Sequence, residues 1–109
     1  AALSQRTDRA SRDAIFLDEA HAFSEGDENI TIAVLDTGVS LHHPELTHAL
    51  IGGYDFVNII DGATEFVGDY IDADSSAEDE VGHGTHVAGI IAGRGRSMPR
   101  GVAPKCKIM

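Results

Sequence analysis

The stretch from Gly82 to Gly93, GHGTHVAGIIAG, limits what this chain can fold into more than any other. Its small and apolar residues read as a helix, yet Gly84 and Gly89 fall inside it, where a glycine costs on the order of 1 kcal/mol relative to alanine. Close approach of neighbouring backbone is a physical reason for tolerating that cost. Ala88, Gly89, Ala92 and Gly93 permit such an approach, and Val87, Ile90 and Ile91 supply apolar contacts, so the helix is expected to be buried. His83 stands in its first turn. A buried helix holds that imidazole in a fixed place, as a general base requires.

A second stretch supplies a carboxylate. ITIAVLDTG, Ile30 to Gly38, begins as a β-branched apolar run and ends in Asp36 before a turn residue, which predicts a buried parallel strand. In open α/β sheets, sites form outside the carboxyl ends of strands, so an acid at a strand end and a histidine at a helix start can meet there. His86, three residues after His83, lies on a similar helix face and reads as a hydrogen-bonded structural histidine rather than a second base. Zinc held by His83, His86 and Asp36 is an alternative use of the same side chains.

The flanking segments carry less chemistry. Residues 1–12 hold Arg6, Arg9 and Arg12 among small polar residues and read as a loose or surface-lying arm. From Asp13 to Phe23, Ile15, Phe16, Ala20 and Phe23 recur at helical spacing, with Gly26 as a stop; His21 on this surface helix is expected to face solvent. Thr37 to Leu46 is a loop, since Gly38 allows a tight turn and Pro44 limits regular structure. His42, His43 and His48 cluster about it, but neighbouring histidines converge on one ion only when a fold aims them, and surface positions are expected. Residues 49–59, ALIGGYDFVNI, read as a further strand interrupted by Gly52 and Gly53.

Between residues 61 and 80 the character changes. Asp61, Glu65, Asp69, Asp72, Asp74, Glu78, Asp79 and Glu80 are gathered there, so most of the formal net charge of −10 is local. With glycines and serines interspersed, the segment predicts a long exposed loop. A solvated acidic face is its simplest role. Calcium binding through Asp72 and Asp74 and recognition of substrate are the others; the spacing is not that of an EF-hand. The excess of acids argues against nucleic acid or an anionic membrane as partner. No run approaches the roughly 18–20 apolar residues of a membrane span, and no basic-then-apolar segment opens the sequence. Cys106 is the single cysteine, so no internal disulfide can form, and it reads as a small buried hydrophobe.

Taken together, AVLDTGV at 33–39, HPEL at 43–46, GHGTHVAGIIAG at 82–93 and GVAP at 101–104 resemble the N-terminal part of subtilisin-like serine proteases, the subtilases of peptidase family S8. The four segments stand in that family's order. The resemblance implies an α/β fold with part of a parallel sheet and flanking helices, truncated before the second half of the domain, so that residues 1–109 form the N-terminal portion of one catalytic domain. Lys105 to Met109 reads as a strand just beginning, in keeping with this. It further implies Asp36 as the aspartate and His83 as the general base of an Asp/His/Ser triad that cleaves peptide bonds by acyl transfer. A secreted or extracellular location rests on the resemblance alone.

Ser97, in GRSMP at 95–99, is superficially like the GTSMA around the nucleophile of that family. Geometry argues against it, because a helix from His83 to Gly93 is roughly 15 Å long at 1.5 Å per residue and carries the chain away from the imidazole. The expectation is therefore a chain with acid and base but neither nucleophile nor oxyanion-hole asparagine, inactive alone and prone to self-association through uncovered strand edges. A non-catalytic interaction module on the same fold is the competing reading. The chemistry needs no cofactor. Glu45 matches an acidic position of a calcium site common in the family, but the facing residues RGRSMPR, 94–100, hold three arginines, so calcium is not expected at this loop.

Overall fold

The computed structural model describes residues 9–56 and 74–109. Residues 9–14 are helical, and after them come helix α1 (Leu17–Phe23), strand β1 (Thr31–Ile32), helix α2 (His83–Ala92) and strand β2 (Lys107–Ile108) among the described residues. β1 and β2 pair in parallel, with Thr31 opposite Lys107 and Ile32 opposite Ile108. The pairing runs on past β1, since the Val34 amide donates to the Met109 carbonyl at 2.9 Å. On its other side β2 meets a third segment through a parallel bridge between Leu50 and Ile108. Ile108 is thus central to the parallel sheet although it lies next to last in the sequence.

The core forms where α2 crosses this sheet. Leu46, Ala49, Ala88, Ala92 and Ile108 are buried together, with Val34, Val39, Leu50 and Ile91 packed at the margin. Two alanines on the helix allow it to lie close to the strands. Gly84 brings the backbones closer still: a Cβ there would stand 2.0 Å from the Gly38 carbonyl oxygen. The interior glycine is accounted for by the approach of the Asp36 segment.

The far end of α2 is closed by the GVAP segment. Val102 and Ala103 donate their amides to the Ile90 and Ile91 carbonyls at 3.0 and 2.7 Å, satisfying acceptors that a helix C-terminus leaves open. Gly101 is required at this reversal, because a Cβ would stand 2.6 Å from the Ala92 nitrogen. The chain then turns into β2.

Several expectations change in three dimensions. The helix expected over 13–23 is broken at Phe16, whose φ of 54° is left-handed: Asp13 and Ala14 end a helical segment over 9–14, which replaces the loose arm expected there over residues 9–12, and α1 begins at Leu17. Leu17 is its buried residue, while Ile15, Phe16 and Phe23 are exposed, so the helical spacing marked a face without a partner among the described residues. His21 does not simply face solvent: its Nε2 lies 2.8 Å from the Val102 carbonyl, to which it donates. The Ile30–Gly38 stretch is ladder-paired over two residues and is covered on one face, with Leu35 93 % exposed. α2 is likewise buried on its small-residue face alone, and Ile90 is exposed. In the 49–59 stretch, Gly52 at φ 132° interrupts the extended run, leaving bridges at Leu50 and Asp55; residues 57–59 lie outside the described residues.

Candidate active site

Asp36 leaves the end of the β1 segment and His83 opens α2, and the close packing of Gly84 on Gly38 brings the two side chains together. His83 Nδ1 stands 2.8 Å from Asp36 Oδ1 and 2.9 Å from Oδ2. The contact from His83 holds the Asp36 carboxyl below the ordinary carboxylate range, and the Thr37 amide, donating to Oδ1 at 2.7 Å, adds to it. An ionised carboxylate only accepts hydrogen bonds, so Nδ1 must carry the proton. Nε2 of a neutral ring is then left with its lone pair outward, on a side chain 69 % exposed. That tautomer is the one a general base uses.

The first turn of α2 has no cap from its own N-cap residue, Gly82. The cap comes from two other places. Thr37 Oγ1, from the residue after Asp36, accepts the Gly84 amide at 2.9 Å, and Asp79 Oδ2 accepts the Thr85 amide at 2.9 Å. Asp79 also receives the Thr85 hydroxyl at 2.6 Å, the Thr37 hydroxyl at 2.9 Å and the amides of Val81 and Gly82 at 3.0 and 2.8 Å. Burial pushes the Asp79 carboxyl up, but the Gly82 amide and the contacts from Thr85 and Thr37 outweigh it and leave the group well below the ordinary range. In the sequence Asp79 is one of eight acids in a charged segment. Its position just before a helix start was the signal that distinguished it.

The far end of α2 is organised by another carboxylate. Glu45 is 2 % exposed. Its oxygens accept the amides of Gly95, Arg96 and Ser97 at 2.7, 3.1 and 2.8 Å and the Ser97 hydroxyl at 3.1 Å. Burial pushes Glu45 up, yet the amides of Ser97, Arg96 and Gly95 and the Ser97 hydroxyl bring it down to about 2. Ser97 is thereby engaged with Glu45.

The other candidates do not assemble. His86 is exposed and makes no side-chain hydrogen bond among the described residues, so the expected structural bond is absent there. His43 Nδ1 accepts the Glu45 amide at 3.1 Å, His48 Nε2 donates to the Pro104 carbonyl at 3.2 Å, and His42 is exposed. Among the described residues no group of three histidine, cysteine or acidic side chains is placed to hold a metal ion. Asp72 lies outside the described residues, and Asp74 uses Oδ1 to accept the Ser76 amide at 2.7 Å. Cys106 is buried, as expected of a small hydrophobe. A groove of about 590 Å³ adjoins Asp36, lined by Val34, Leu35, Tyr54, Phe56, Glu78 and Glu80 among others.

A parallel sheet with a helix across it, bearing an aspartate from a strand end bonded to a histidine at the helix start, places the chain in the α/β class. The comparisons narrow this class to one family: residues 27–109 match the Subtilase family, and the chain belongs to it. It is 39 % identical over 83 residues to the major intracellular serine protease of Bacillus subtilis (strain 168), covering 75 % of this chain and 23 % of that protein. Thermitase of Thermoactinomyces vulgaris is 39 % identical over 80 residues, covering 72 % of this chain and 24 % of its own length. Among solved structures, a protease from Pseudoalteromonas arctica PAMC 21717 superposes with a TM-score of 0.61 at 29 % identity, over 75 % of this chain and 28 % of that one. The chain thus spans about a quarter of the length of these relatives.

Proposed function

We propose that this chain supplies the acid and base of an Asp/His/Ser triad in a serine endopeptidase acting on peptide or protein substrates. The carrying observation is the His83 Nδ1 contact to Asp36, which leaves Nε2 free to accept a proton. Family membership and relatives that are serine proteases support the assignment. In the proposed reaction Nε2 takes the serine hydroxyl proton as the oxygen attacks the scissile carbonyl. His83 then returns that proton to the leaving amine as the acyl-enzyme forms, and water repeats the sequence to release the acid. Asp36 stays ionised throughout and balances the charge on the imidazolium.

The nucleophile and the oxyanion donor belong to sequence beyond these 109 residues. Ser97 is a poor candidate, since its hydroxyl is bonded to Glu45 past the far end of α2. On this reading the 109-residue chain hydrolyses no peptide, and the activity belongs to the longer protein. A serine-directed fluorophosphonate applied to the 109-residue chain and to a version extended by a few hundred residues tests it. Labelling of the long form alone is expected. Labelling of Ser97 in the short form, or of neither form, would overturn the proposal.

A further inference from the structure

We infer that Asp79 is a positioning residue for the Asp36–His83 pair, acting through Thr37 on the acid and through the first turn of α2 on the base. The inference rests on the function proposed above for that pair. Among the described residues the five groups hydrogen-bonded to the Asp79 carboxylate are all donors: the hydroxyls of Thr37 and Thr85 and the amides of Val81, Gly82 and Thr85. They come from both segments of the site. Thr37 follows Asp36 directly and donates its own amide to Asp36 Oδ1, while Gly82 and Thr85 flank His83 in the helical turn.

Thr37 is the joint between the two sides. Its hydroxyl has one hydrogen, which goes to Asp79, so the oxygen turns its lone pair to the Gly84 amide at 2.9 Å. Without the Asp79 acceptor the hydroxyl is free to rotate and the Gly84 amide loses a fixed partner. The Thr85 hydroxyl is held in the same way: it donates to Asp79 Oδ2 and accepts the Ser40 amide at 2.9 Å. Asp79 thus sets the hydrogen direction of two hydroxyls, and each hydroxyl ties α2 to the segment after β1. Asparagine cannot do this, because its amide nitrogen would face donors on one side of a site that needs only acceptors. Misplacement of a catalytic pair by about 1 Å lowers turnover about a hundredfold, which sets the size of the effect.

The test uses Asp79→Asn and Thr37→Val in the longer, active protein, with the exposed Asp18→Asn on α1 as a control for the loss of one charge. Turnover is measured per titrated active site, and the His83 Nδ1 proton is followed by NMR, where a bond to a carboxylate moves it far downfield. Asp79→Asn is expected to lower kcat about a hundredfold with KM little changed. The downfield proton should be lost or exchange-broadened in the folded protein. Thr37→Val should do the same to a smaller extent, and the double variant should lose less than the product of the two effects, since both break one chain of bonds. A folded Asp79→Asn with wild-type kcat and an intact downfield proton would overturn the inference, even if its melting temperature fell. Should Asp79→Asn not fold, Thr37→Val decides by the same two readouts. Absence of peptidase activity in the wild-type protein would refute the proposed function instead, and the NMR signal would still test the positioning.

Discussion

Replacing Glu45 by glutamine keeps the size of a buried side chain and removes its charge. The carboxylate accepts three backbone amides and a hydroxyl, and these lower it from 4.5 to about 2 against the opposing effect of burial. At ~1.4 kcal/mol per tenfold change in proton affinity, that depression corresponds to about 3 kcal/mol of stability at neutral pH. Glutamine would turn an NH2 group toward either the Gly95 or the Ser97 amide, leaving a donor facing a donor. Residues 95–97 are themselves exposed, so their amides can turn partly to water, and the expected cost of Glu45→Gln is ~2–3 kcal/mol. The pH dependence has a definite sign. A group whose folded pKa is depressed stabilises above its unfolded value, and the contribution is lost as pH falls from about 4.5 through about 2. Denaturant unfolding of wild type and variant at about pH 7 and about pH 3 should therefore give a difference that shrinks by more than half at the lower value. A difference below about 1 kcal/mol at pH 7, or one of equal size at both values, would refute the reasoning.

Three further outcomes are expected. Gly84→Ala should destabilise by roughly 2–4 kcal/mol and separate Asp36 from His83, because its Cβ meets the Gly38 carbonyl at 2.0 Å; Gly89→Ala, whose Cβ meets the flexible Met98 side chain at 3.6 Å, should be neutral or slightly stabilising. Equal melting temperatures for these two variants would refute the account of α2 packing. Calorimetry should detect no micromolar calcium binding at Glu45, whose oxygens are occupied by amides near Arg94 and Arg96; binding that vanishes in Glu45→Ala would refute this. In the longer protein, peptides with basic residues should be cleaved a few-fold faster than neutral ones at low salt, because Glu78 and Glu80 line the groove beside Asp36, and equal rates would dispose of the idea.

The sequence by itself determined which two side chains meet. A carboxylate ending a β-branched run and a histidine opening a glycine-rich helix are local patterns, and the structure brings those two residues to 2.8 Å. The parallel pairing was legible as well, and so was the close approach at Gly84, whereas Gly89, expected to need the same approach, meets only the Met98 side chain at 3.6 Å. Helical spacing around Ile15 and Phe16 did not predict burial, since a periodic apolar face is buried only where a partner covers it.

What only the tertiary structure decided is which acids are structural. Glu45 looks in sequence like other acids on an acidic chain, but it meets donors from a segment distant in the chain, and Asp79 joins the distant Thr37 hydroxyl to its local donors at Val81, Gly82 and Thr85. Thr37 reaches Asp79 across 42 positions, and Ser97 reaches Glu45 across 52. A hydrogen bond requires its partners within about 3 Å at a particular angle. That condition is set by the packing of α2 on the sheet, and no spacing along the sequence encodes it.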